Sequence, residues 1–155
     1  MNKYQAPTRF VGKYSKYLPT CPSTNSLGFE EALSVDLPEG FAWVAGHQTA
    51  GKGQRGNQWI AEPNQNLLVS FLLKPGHEAL PVQFYLSKAI ALGIVKGLNG
   101  WSQMKFGEIL PLSIKWPNDI YADNRKMAGI LIENVLRGSS WHHAVVGIGL
   151  NVNQD

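Results

Sequence analysis

The sequence carries a single cysteine, Cys21, among 155 residues. No intramolecular disulfide can form, and a zinc site built from several cysteines is excluded. Charge is sparse. Asp, Glu, Lys and Arg make up 16% of the chain, and 14 cationic against 11 anionic side chains leave a net +3. That balance permits an anionic ligand without demanding nucleic acid. No five like charges follow one another, so most of the charge reads as scattered and solvated. No apolar run reaches the roughly 18 residues of a membrane-spanning helix. The first residues, MNKYQAPTRFVGKYSKY, lack the apolar stretch of a secretory signal. The expected address is cytoplasmic. No internal repeat or linker is visible.

What is present points to one folded domain. Hydrophobic residues reach 44%, enough for a core, and 16 Gly with nine Pro supply many turns. Residues 1–9 read as a polar, loose tail. A strand is expected over 10–18, bounded by Pro19 and Pro22. Ser23, Thr24 and Asn25 offer an N-cap, with a short helix over 26–35. Strands follow at 41–46 and 67–73; the second (LLVSFLL) reads as a continuous apolar run but for its one serine, as in a strand buried on both faces. After a turn at 74–81, residues 82–98 place Phe84, Leu86, Ile90, Ile94, Val95 and Leu98 at helical spacing, and Asn99-Gly100 is the expected stop. Then come strands at 112–116, 120–121, 127–135 and 141–152, with a hairpin turn at 137–140. One helix between strands, followed by consecutive hairpins, implies an α+β fold: a mixed, largely antiparallel sheet with helices packed on one side.

Three polar stretches interrupt this pattern. Residues 46–52 (GHQTAGK) carry the G-x-x-x-x-G-K spacing of a phosphate loop, but Gly53 stands where that motif needs Ser or Thr, and GQRGNQW is a poor helix start. The wider loop 48–59 (QTAGKGQRGNQW) sets Lys52 and Arg55 among Gly51, Gly53 and Gly56. Cations and backbone N–H groups together suit a phosphate, while the same composition also suits a plain surface loop. Residues 115–119 (KWPND) form a polar cluster between two strands. Lys115 could hold an anion and Asp119 a magnesium ion, or Pro-Asn-Asp could be ordinary turn chemistry. Lys126 starts a strand, and Glu133, at its far end, is a candidate partner for a nearby cation. Gly147, Gly149 and Asn151 close the sequence with glycines that let something approach a strand face. His47, His77, His142 and His143 are scattered; strand alternation would send the last two to opposite faces, so no metal site is read from them.

In their order along the chain, Ser23-Thr24-Asn25, the loop 48–59, KWPND with RKMAGIL at 125–131, and the Gly-x-Gly-x-Asn strand at 147–151 closely resemble the catalytic domain of biotin protein ligases. The resemblance implies the class II aminoacyl-tRNA synthetase-like fold of biotin and lipoate ligases. It implies ATP-dependent conversion of biotin to biotinyl-5'-AMP, then transfer to a lysine of a biotin carboxyl carrier protein or domain, with Mg2+ accompanying ATP. Biotin would be held by Ser23, Thr24, Asn25, Gln48, Gly51, Lys52, Lys126 and Gly129. The adenylate would meet Lys52, Gln54, Arg55, Trp59, Lys115, Asn118, Asp119 and Asn151, with Gly149 lining the same side. Lys126, Arg55 and Asp119 would carry the chemistry, the magnesium lying near Asp119 without a site fixed by protein alone. Trp43 and Trp116 are candidate walls for the biotin ring. Lys52 stands where the family usually has Arg, and a lysine cannot form the planar bidentate fork of a guanidinium. By the same resemblance the catalytic domain over 1–155 is incomplete at its C-terminal end. No N-terminal winged helix and no C-terminal β-barrel are expected, nor DNA or membrane binding; a homodimer stays open. The alternatives are a lipoate or octanoate ligase or transferase of the same fold, and a non-catalytic biotin-binding fragment.

Overall fold

The computed structural model describes residues 8–75, 83–138 and 140–154. The first seven residues of the expected tail, most of the turn at 74–81 with His77, the expected helix start at Val82, and Ser139 of the last hairpin lie outside them. The elements run β1 (Ser15–Cys21), α1 (Thr24–Ser34), β2 (Ala42–Gln48), β3 (Asn66–Leu73), α2 (Gln83–Phe106), β4 (Leu112–Lys115), β5 (Asp119–Ala122), β6 (Arg125–Arg137) and β7 (Ser140–Asn151). The seven strands form one sheet in the order β1-β2-β3-β7-β6-β5-β4. β1 and β2 pair in parallel, and the other described pairs are antiparallel. The class is the expected α+β sheet.

The helices divide between the two faces of that sheet rather than sharing one. Neighbouring residues of a strand face opposite ways. Leu72, Trp43 and Val145 pack with Ala32 of α1, whereas Phe71, Ala42, Val146 and Ile130 pack with Ala91, Leu86, Ile90 and Ile94 of α2. The central strands are apolar on both sides, so each side needs a cover, and a single helical layer would leave one bare.

Other boundaries differ for local reasons. β1 begins at Ser15 and runs through Pro19. It is an edge strand, and Pro19 has no register partner in β2, so its missing N–H costs no ladder bond. α2 does not stop at Asn99-Gly100. Its inward stripe continues to the buried Ser102, and the Asn99 side chain accepts a bond from Leu110 N at 3.0 Å instead of capping the helix. The helix ends at Gly107, whose φ of +75° and N–H bond to Gln103 O make the usual glycine stop. His142 and His143 do not part company either. Val135 pairs with His143 but Leu136 with Trp141, so His142 is an extra residue in β7. The bulge turns the two rings together, with Nδ1 atoms 2.7 Å apart.

Leu72 is fully buried beneath α1. Leu72→Ala should lower the unfolding free energy by about 2–5 kcal/mol, read by chemical denaturation.

Candidate active site

The face under α1 is where polar side chains interrupt the core. Here a cavity of about 260 Å³ is walled by the first residues of α1, the end of β2, the glycine-rich loop, Ser70 of β3, the β4–β5 turn, and facing stretches of β6 and β7.

Its floor begins at the N-terminus of α1. Ser23 is the N-cap, with extended backbone and a hydroxyl that accepts from Ser26 N. Ser23, Thr24, Asn25 and Ser70 are each no more than 3% exposed, so their polar atoms must be paired within the protein. Thr24 N and Oγ1 both donate to Gln48 Oε1, at 2.7 and 3.0 Å. Thr24 Oγ1 and Ser70 Oγ lie 2.8 Å apart, and Ser70 donates to Asn25 Oδ1 at 3.1 Å. Asn25 Nδ2 donates to Glu133 Oε2 at 2.5 Å. Glu133 therefore meets an amide, not the cation expected of it.

The loop forms one side wall. It is a tight hairpin: Lys52 bridges Gln58, Trp59 N donates to Gly51 O, and Gly53 N donates to Asn57 O. Arg55 at its tip takes a left-handed φ of 55°, which costs a non-glycine residue about 1 kcal/mol. Trp59 anchors the hairpin by lying flat on β6 and β7. A Cβ at Gly149 would come within 2.3 Å of its ring, and one at Gly129 within 2.6 Å. The indole Nε1 is buried without an acceptor. Beneath the loop, burial pushes the Cys21 thiol above its ordinary pKa, which keeps it a packing group.

The opposite wall carries charge. Trp116-Pro117 is a cis peptide in the β4–β5 turn, and Ile130 N donates to Asn118 O, fastening that turn to β6. Lys126 Nζ is 2.8 Å from Asp119 Oδ1 and 5.5 Å from the Trp59 ring centre. The Lys126 ammonium is thereby the charged partner of Asp119 Oδ1.

The cavity thus gathers Ser23, Thr24, Asn25, Gln48, Lys52, Gln54, Arg55, Trp59, Asn118, Asp119, Lys126, Gly129 and Gly149 of the expected set. Gly51, Lys115 and Asn151 are not among its lining residues. Lys115 Nζ sits 5.3 Å over the Tyr121 ring instead, and Asn151 Nδ2 donates to Lys126 O at 3.1 Å. Neither Trp43 nor Trp116 forms a wall. Trp43 is fully buried in the α1 core, and Trp116 is half exposed beside Lys88. The aromatic wall is Trp59. Ser70 was not expected; its one signal is a hydroxyl in an otherwise apolar strand.

A model of the biotin/lipoate A/B protein ligase family matches residues 17–151. The chain is 38% identical over 131 residues to the biotin–[acetyl-CoA-carboxylase] ligase of Paracoccus denitrificans, covering 84% of this chain and 51% of that protein. It is 30% identical over 154 residues to the bifunctional ligase/repressor BirA of Bacillus spizizenii, covering 98% of this chain and 44% of that one. The biotin protein ligase from Aquifex aeolicus in complex with biotin and ATP superimposes with a TM-score of 0.71 at 33% identity, over 92% of this chain and 53% of that one. The Leishmania major enzyme in complex with biotinyl-5-AMP gives 0.68 at 26%, over 91% and 58%. The chain spans about half the length of these relatives.

Gly149→Ala should destabilise by about 1–3 kcal/mol, because the new methyl must displace the Trp59 ring. Most of that cost should vanish in a Trp59→Ala background, a coupling that a double-mutant cycle on denaturation midpoints detects.

Proposed function

The chain belongs to the biotin/lipoate A/B protein ligase family, and from that premise we propose that it activates biotin with ATP to biotinyl-5'-AMP and passes the biotinyl group to a lysine of a biotin carboxyl carrier domain. The observation that carries this reading is the two-ended cavity. One end is a buried floor of hydroxyl and amide groups; the other holds Lys126 against Asp119, with a glycine-rich hairpin between them. A fused ring with a urea at one end and a carboxylate on a chain at the other suits that polarity. The lipoate alternative suits it less, because a dithiolane offers nothing to pair with Thr24, Asn25, Ser70 or Gln48.

In the first step a carboxylate oxygen of biotin attacks the α-phosphorus of ATP, and the bond to the β-phosphate oxygen breaks with its electron pair leaving on pyrophosphate. Two anions must approach, so a fixed cation between them lowers the barrier. Lys126 is that cation, and Asp119 holds its ammonium at the wall before substrate arrives. Lys52 and Arg55 on the hairpin face the same cavity and complement the phosphates. In the second step the carrier's lysine amine attacks the acyl carbon and AMP leaves. The adenylate hydrolyses if wetted, and closure of the hairpin anchored by Trp59 excludes water.

Among the described residues no three acidic, histidine or cysteine side chains converge on a resident metal site. Asp119 is the acidic side chain among the residues lining the cavity, and its carboxylate would fit a magnesium ion that arrives on the phosphates and needs one carboxylate from the protein. Magnesium bound there would neutralise charge on the leaving pyrophosphate. Among the described residues no helix is long and apolar enough to cross a membrane. The cytoplasmic address is proposed from the ligase reading, whose substrates are ATP and a carrier domain.

The test is pyrophosphate release with biotin and magnesium-ATP. In a complete ligase Lys126→Ala should leave biotin affinity nearly intact and slow adenylate formation by roughly 10²–10³-fold, the cost of one preorganised charge-stabilising group. A variant within about twofold of the parent overturns the catalytic role. Biotin binding with no pyrophosphate release by this chain would select the non-catalytic fragment. On the binding side, Gln48→Ala should weaken biotin binding by about 1 kcal/mol or more in calorimetry, the net value of one hydrogen bond.

A further inference from the structure

The floor of the cavity is a chain of hydrogen bonds whose protons can be counted. At one end is Glu133, a carboxylate that only accepts. It obliges Asn25 to turn Nδ2 toward it and Oδ1 toward Ser70. The single Ser70 proton is committed to Asn25 Oδ1, at 3.1 Å. At the other end Gln48 Oε1 is an acceptor, and it takes the single hydroxyl proton of Thr24 at 3.0 Å as well as its backbone N–H at 2.7 Å. Between these ends the Thr24 and Ser70 oxygens sit 2.8 Å apart, and either can donate to the other only by withdrawing its proton from Gln48 or from Asn25. Three contacts share two hydroxyl protons, and the chain is bounded by acceptors on both sides. It is one donor short in a place where an unmet pairing is costly. The geometry is held from the side as well: a Cβ at Gly147 would meet Asn25 Oδ1 at 2.5 Å, so β7 leaves room for that amide only by having no side chain there.

Thr24 and Ser70 both line the cavity, and Glu133 does not. We propose that Glu133 acts as a positioning residue that fixes the direction of this chain, so that the floor accepts rather than donates and selects a ligand bearing N–H groups. The inference rests on the ligase reading above and deepens it. The cyclic urea of biotin carries two N–H donors, one of which supplies the missing proton; a dithiolane or a plain acyl chain carries none. A neutral amide at position 133 removes the constraint. It can donate to Asn25, which turns round so that Nδ2 serves Ser70, Ser70 serves Thr24, and Thr24 serves Gln48. Every contact then has its own proton, and a ligand N–H must share the two hydroxyl oxygens with donors the protein already supplies.

The experiment is calorimetry of the chain and of Glu133→Gln with biotin and with lipoate, each titrated into the millimolar range, with thermal melting as the check on folding. The expected result is a biotin Kd raised by roughly tenfold, the value of one hydrogen bond, and a lipoate Kd unchanged or lowered. Should Glu133→Gln not fold, Ser70→Ala carries the same expectation, since it removes one of the two oxygens the ligand proton would join. Equal weakening toward both ligands marks Glu133 as structural support and overturns the proposal, as does an unchanged biotin Kd. If the parent chain binds no biotin, the ligase reading falls first and this inference with it; if the parent binds biotin and the variant keeps its preference, this inference alone fails.

Discussion

Thr24, Asn25 and Ser70 are almost wholly buried, and each takes its partners from another element. That demand ties the site together. α1 is pinned to β2 through Thr24 and Gln48, to β3 through Ser70, and to β6 through Asn25 and Glu133. Each orphaned group would cost about 1–3 kcal/mol, so the four elements cannot slide independently without losing several such terms. An apolar floor could have packed as well but could not have fixed the helix in rotation, because dispersion contacts have no direction.

The two faces of the sheet divide the work between them. On the α2 side Phe71, Val146, Ile130 and Ala91 form an apolar cluster. On the α1 side the same strands alternate between core, at Leu72 and Val145, and cavity, at Ser70 and Gly147. Stability concentrated on one side tolerates a half-polar surface on the other. The arrangement follows from period two in β3 and β7: Phe71 and Val146 pack on the α2 side, while Ser70 and Gly147 line the cavity.

Strand existence and order of motifs were legible because they rest on local signals. The apolar run at 67–73, the Pro-Asn-Asp break and the Ser23 cap each act over a few residues. What was not legible depended on partners far along the chain. The placement of helices on opposite faces follows from both sides of the central strands being apolar, a property that a count of elements does not capture. Asn99-Gly100 looked like a helix stop because the Asn side chain was free to cap; Leu110 engages it instead. His142 and His143 were separated by alternation, and a bulge set by pairing with β6 cancelled that alternation. In the site, Ser70 was hidden in an apolar strand and Glu133 looked for a cation, because its amide partner lies 108 positions away.

Lys126 shows how residues outside the cavity serve it. Its side chain is 39% exposed and that of Asp119 20%, so their ion pair contributes little to stability. A lysine this exposed would otherwise sample many rotamers. Three contacts narrow that range: Asp119 draws the ammonium to the wall, the Trp59 ring lies beneath it, and Asn151 bonds to the Lys126 carbonyl and holds the backbone. Trp59 can lie there only because Gly129 and Gly149 have no side chains. The glycines of β6 and β7 therefore act at the charge through the tryptophan, and Asn151 acts through the main chain. In the proposed reaction, a cation already in place when carboxylate and phosphate meet would need no reorganisation, which is where such a group has its largest effect.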